Sequence, residues 1–189
     1  TVANSIIAAN QAVTGQGREI VIGGGGGLWI QATNAVIDHS TIAANVLSGG
    51  GLFGAGIQAL NTGSKGANVT IRNSLLTDHR SDVGSAVDTL TVSTVTFADG
   101  LFYNNTYNTS NDNPIVGPTR GTVNGLGSMG SANTQYVSPG GPDYNYRITA
   151  GSPARNKVTN VTRTVDIDNQ QRDARPDFGA DEYSAPARP

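Results

Sequence analysis

Apolar and polar residues alternate along the first hundred positions in short runs. They do so within Val69-Thr-Ile71 and within the pieces of Leu90-Thr-Val-Ser-Thr-Val-Thr-Phe97, the period of a pleated strand with one buried side. The apolar pieces are too short to bury themselves, and stretches rich in Gly and Asn separate them. Three segments align without gaps: Thr1-Val-Ala-Asn-Ser-Ile-Ile-Ala-Ala-Asn10, Val36-Ile-Asp-His-Ser-Thr-Ile-Ala-Ala-Asn45 and Thr70-Ile-Arg-Asn-Ser-Leu-Leu-Thr-Asp-His79. Each has a serine, an apolar residue two later, and an amide or imidazole three after that. Thr91 to Phe97 reads as a weaker fourth copy, with Gly100 at the terminal position. Between copies recurs a glycine followed by an apolar strand, as in Gly25-Gly-Gly-Leu-Trp-Ile30, Gly49-Gly-Gly-Leu-Phe53, Gly54-Ala-Gly-Ile57 and Gly84-Ser-Ala-Val87.

A unit of strand, turn, strand, turn recurring at this period predicts coils stacked about 4.8 Å apart, each strand pairing in parallel above and below. The predicted fold is all-β, a parallel β-helix of about three to four coils, right-handed by the general crossover rule. Superposing the repeats places Asn10, Asn45 and His79 in one column and Asn4, His39 and Asn73 in another. Such columns predict side-chain ladders at the corners. The coils are expected over residues 1–107, followed by long loops at 108–142. A capping segment is expected at 143–183 to cover the open end, then a linker or frayed tail at 184–189.

Composition agrees with this reading. Gly, Thr and Asn make up a third of the 189 residues, which excludes a helical bundle. Net charge is −2 with the basic residues scattered, so nothing marks a nucleic-acid surface. No run approaches the roughly 18 apolar residues of a membrane span, so no membrane insertion is expected. The absence of cysteine removes disulfides and thiolate chemistry.

Acid, imidazole and guanidinium cluster only at Asp38-His39 and Asp78-His79-Arg80. Asp78, His79, Arg80 and Asp82, with Asp88 near, are the candidates for a uronate-lyase-like site, in which carboxylates hold Ca²⁺ and a base removes a proton. The alignment opposes it: Asp38 falls on Arg72 and Asp78 on Ala44, so no column of acids stacks. The competing expectation is that His39 and His79 sit in ladders and the acids face solvent. Asp166, Asp168 and Asp173 are spaced as Ca²⁺ ligands could be, or cap turns and pair with Arg163, Arg172 or Arg175. Trp29, Tyr103 and Tyr107 are candidates for stacking on sugars, against a role in packing. No cofactor is expected, Ca²⁺ being the one alternative.

Asp143-Tyr-Asn-Tyr-Arg-Ile-Thr-Ala-Gly-Ser-Pro-Ala154, Val165-Asp-Ile-Asp-Asn169 and Asp177-Phe-Gly-Ala-Asp-Glu-Tyr183 together resemble the end of bacterial choice-of-anchor Q surface proteins. The Gly-Gly-Gly-Leu and Ile-Ala-Ala-Asn elements are similar to repeats of polymorphic outer-membrane proteins. The resemblance implies a β-helix of the pectate-lyase-like superfamily, extracellular or on a bacterial cell surface. Asn156 stands where that family has Asp, and Asn169 where it has Gly. The leading expectation is a non-catalytic module for adhesion, display, or matrix and filament assembly. Because the chain opens inside a repeat, Thr1, Val2, Ser5, Ile7 and Asn10 are expected to form an edge that accepts another copy, giving a homopolymer. The alternatives are a polysaccharide-active enzyme and a carbohydrate-binding module, with polysaccharide as partner.

Overall fold

The computed structural model describes residues 1–13, 26–49, 54–81, 84–113 and 120–184. It is a parallel β-solenoid of about three turns. The first coil carries β1 (Val2–Ala3), β2 (Ile6–Ala8) and β3 (Gln11–Val13). The second carries β4 (Leu28–Gln31), β5 (Asn34–Asp38), β6 (Thr41–Ala43) and β7 (Val46–Ser48). The third has β8 (Gly54–Leu60), β9 (Asn68–Thr77) and β10 (Arg80–Ser81), and the fourth β11 (Ser85–Thr89) and β12 (Thr94–Tyr103). β13 (Thr122–Asn124) and β14 (Met129–Ser131), with a 3-10 turn at Leu126–Ser128 between them, add a partial rung on β12.

Four faces result. The first stacks β1, β5, the first half of β9, the first half of β12, and β13; the second stacks β2, β6, the remaining halves, and β14. The third is β3, β7 and β10, and the fourth is β4, β8 and β11. Between the first two faces the chain turns at Asn4, His39, Asn73 and Asp99, and between the second and third at Ala9, Ala44, Asp78 and Asn104. All eight residues have positive φ, between 44° and 68°. A left-handed residue at the same rung position of each coil is what folds a strand into a corner, and Asn and Asp adopt that conformation at low cost.

Inward side chains stack like on like. Val2, Ile37, Ile71 and Phe97 form one column, and Ile7, Ile42, Leu76 and Phe102 another. Phe97 and Phe102 meet edge to face at 5.2 Å. The fourth copy is shifted from the expected alignment. Thr96, not Thr91, pairs with Thr70, so Gly100 lies on Ser74 and the terminal amide is kept as Asn105. The ladder bonds span 35, 34 and then 26 residues, so the last full coil is shorter and a fixed repeat length misplaces it.

Residues 108–142, expected to be long loops, hold β13, β14 and β15 (Tyr136–Ser138), and the last pairs antiparallel with β16 (Asn145–Ile148). Backbone pairing decides this, of β13 and β14 with β12 and of β15 with β16, which composition does not show. The irregular C-terminal segment makes its contacts along the flank of the stack. Ile148, Ala154, Val158 and Phe178 cover the outward side chains of Leu75 and Leu101 on the second face. Gly179 donates its N–H to the Asn73 carbonyl, and Ala180 donates to Thr41 Oγ1. Arg172, with no exposed side-chain surface, ties this segment together by donating to Glu182 and to the carbonyls of Gly179 and Ala180.

Candidate functional site

The second corner generates a ladder. Asn10 N–H donates to Asn45 Oδ1 at 3.0 Å, Asn45 N–H to His79 Nδ1 at 3.2 Å, and His79 N–H to Asn105 Oδ1 at 2.9 Å. Asn45 and Asn105 also return an amide donor to the carbonyls of Ile7 and Leu76. His79 is therefore a neutral acceptor within the stack, and burial lowers its pKa to about 4. The first corner holds Asn4, His39 and Asn73 in one column, with Asn73 Nδ2 3.4 Å from His39 Nε2. Burial lowers the His39 pKa to about 4 as well, with the positive charges of Arg172 and Arg163 adding to it and Asp38 opposing it.

The acids do not all face solvent. Asp38 is fully buried because the C-terminal segment lies over it, and it accepts from Arg72 and Arg163, each at 3.1 Å, and from Thr162 at 2.8 Å. Burial pushes its carboxyl up, but the bonds from Arg72 and Thr162 outweigh this and hold it below its ordinary value. Asp88 is also buried, accepting from Gln58 and Arg120, and there burial wins and raises the pKa.

Asp78 is different. It is half-exposed at the second corner and forms, with Ala44 and Asn104, the floor of an open cleft. These three corner residues occupy successive rungs, so the floor runs along the stack for about 10 Å. Tyr103 from the end of β12 and the stretch Asn133, Thr134, Gln135, Tyr136, with Pro139 and Gly140, form the walls, and Tyr146 closes the inner end. The cleft encloses about 610 Å³, within the usual range for small-ligand sites. Its aromatic side is built firmly: Tyr136 and Tyr146 meet edge to face at 5.3 Å, and the Tyr136 hydroxyl bonds Thr77 Oγ1 at 2.9 Å. Asp78 Oδ1 accepts from Asn104 Nδ2 at 2.7 Å. A cleft of tyrosine rings edged by a carboxylate, two asparagines and a glutamine is suited to a polyhydroxylated ligand. Ring faces take C–H surfaces while carboxylate and amide groups take hydroxyls.

The structure disperses the other candidate catalytic residues. His79 lies behind the floor in its ladder, and Arg80 donates to the carbonyls of His79 and Asn104. Asp82 falls outside the described residues. Tyr103 lines the cleft; Trp29 is on the fourth face, 40% exposed, and Tyr107 is half-buried, its carbonyl accepting from Ala86. Asp166 and Asp168 come together with Asp181, whereas Asp173 is engaged elsewhere with the Arg175 N–H. Asp166 Oδ1 caps a turn by accepting from Asp168 and Gln170, and the charge partner of Asp168 is Arg147, not Arg163, Arg172 or Arg175. Among the edge residues, Val2 and Ile7 lie on strands paired with the second coil, and the outer side of β1, β2 and β3 has no partner strand among the described residues. No single window of sequence contains the cleft, because its floor comes from three coils and its wall from residues 133–146.

No helix among the described residues is long and apolar enough to cross a membrane. Compared with family models, curated proteins and solved structures, the chain matches none.

Proposed function

We propose that this protein is a non-catalytic, extracellular β-solenoid module that binds carbohydrate in the cleft between its second corner and the β15–β16 hairpin. The observation that carries the reading is the lining itself, with Tyr103 and Tyr136 beside Asp78, Asn104, Asn133 and Gln135. The non-catalytic part is supported by the use made of the acid–base groups. His79 is buried with Nδ1 occupied, and Arg80 is bound to backbone carbonyls. The similarity of 143–183 to choice-of-anchor Q proteins supports a surface location, and adhesion or display is the role that such a binding module serves there.

The test is an oligosaccharide panel followed by calorimetry on the wild type and Tyr103→Ala. At least one oligosaccharide class binds, and the variant weakens it about tenfold or more with an unchanged Tm. Absence of binding, or binding indifferent to Tyr103, overturns the proposal. Formation of unsaturated product from a uronate polymer, lost in Arg80→Ala, would replace it with the lyase reading. A second reading is addition of another copy to the stack along β1 to β3, which have no partner on their outer side among the described residues, and sedimentation velocity over a wide concentration range is its check.

A further inference from the structure

The charge inside the cleft narrows the ligand, given the carbohydrate-binding reading on which this rests. Asp78 is the one ionisable carboxylate among the residues that line the cleft, and no arginine, lysine or histidine lines it. None of the ion pairs formed by Asp38, Asp88, Asp168 and Glu182 involves Asp78. The nearest guanidinium in sequence, Arg80, is turned to the carbonyls of His79 and Asn104. One oxygen of Asp78 accepts from the Asn104 amide at 2.7 Å, which fixes the carboxylate without neutralising it. The residue is half-buried and sits at a corner with a φ of 60°. Tyr103 and Tyr136 stand beside it, and tyrosine ring faces attract cations.

A polyol site with a fixed, unneutralised carboxylate and aromatic walls repels uronates and sulfated sugars and attracts a protonated amine. We infer that the cleft selects an amino-sugar glycan with a free amine, with Asp78 as the counter-charge to its ammonium. The floor runs along three rungs, which suits an oligomer better than a single ring.

Calorimetry at a pH where the amine is protonated tests this. The probes are a glucosamine oligosaccharide, its N-acetylated counterpart, a galacturonate oligosaccharide, and spermidine as an amine without a sugar. The free-amine oligomer binds about tenfold or more tightly than the N-acetylated one, and the uronate does not bind. Asp78→Asn removes the difference between the first two. The variant retains its fold because Asn104 already occupies the next rung in the same left-handed conformation. Equal affinity for the two oligomers in the wild type, or a preference that survives in Asp78→Asn, overturns the inference and leaves the carbohydrate reading standing. Spermidine binding as tightly as the free-amine oligomer overturns the sugar specificity, and failure of every glycan overturns both.

Discussion

His79 accepts the Asn45 N–H at Nδ1, so its proton sits on Nε2, and a second proton would displace that bond inside the stack. Its folded pKa of about 4 lies below the ordinary 6.5, so between those values the unfolded chain binds more protons than the folded one. Stability from this group is complete above pH 6.5 and is lost as pH falls through 4, a contribution on the order of 3 kcal/mol. His79→Asn keeps an acceptor at the rung, as Asn45 and Asn105 do. It is expected to lessen the fall in urea midpoint between pH 6.5 and 4, the His39 share remaining, whereas a fall as steep as in the wild type contradicts the assignment. Gly179 has the opposite role, a residue chosen for what it lacks. Its φ is 98°, and a Cβ there would lie 2.7 Å from Leu75 Cδ1 and 2.8 Å from Thr41 Oγ1. Gly179→Ala is expected to cost about 2–4 kcal/mol in urea unfolding, from backbone strain plus overpacking.

Among the elements, the C-terminal segment raises the question of its acids. Asp181 is buried, accepts from the Ile148 N–H at 3.0 Å, and lies beside Asp166 and Asp168. Burial raises its pKa first, and the two neighbouring carboxylates add to the effect while the Ile148 bond opposes it. The folded state therefore binds the proton more readily, and stability from this group falls as pH rises from the ordinary 3.8 through the raised value. Asp181→Asn preserves the acceptor and removes the charge, so at neutral pH it is expected to stabilise by about 1 kcal/mol in chemical unfolding. Destabilisation would show that the charge is needed where it stands. The repeat pattern made the strands of the second and third coils legible, along with the Asn10–Asn45–His79 ladder, because period and corner chemistry are local. At the first corner, by contrast, Asn4 turns to Val165 and Arg172, and only Asn73 and His39 meet. Asn105 escaped because the coil before it is shorter, and β13 to β15 escaped because they are three-residue strands that keep no repeat frame and are defined by pairing with β12 and β16.

For the whole molecule, the flank segment is continuous with the stack's stability. Asp38 on β5 joins Arg72 of the next coil to Thr162 and Arg163 of the segment, with all three bonds buried at the carboxylate end. Asp38→Ala removes a buried acceptor of three bonds, but Arg72 and Arg163 are each over a third exposed and regain water, so the loss is expected to be about 1–3 kcal/mol, read from the urea midpoint. Hydrogen exchange offers a second view. Amides of Thr41–Ala43 and of β9, covered on both sides, are expected to exchange only with global unfolding. Those of β1 to β3, paired on one side only among the described residues, are expected to exchange first. Uniform protection across the coils would mean that the outer side of the first coil is covered in solution.

The sequence by itself determined the class of fold, since two-residue alternation, short apolar runs and recurring Asn and Gly admit little except stacked parallel coils. It also determined that Asn10, Asn45 and His79 meet at one corner, because residues one regular coil apart share it. Tertiary structure alone decided which acids are buried, since covering Asp38 depends on a segment more than a hundred residues away, at Thr162 and Arg163. It alone assembled the cleft, whose floor is one corner read across three rungs and whose walls return from residues 133–146. Local pattern specifies a rung. What folds back over the rungs is decided by the burial of Leu75 and Leu101 beneath Phe178 and its neighbours.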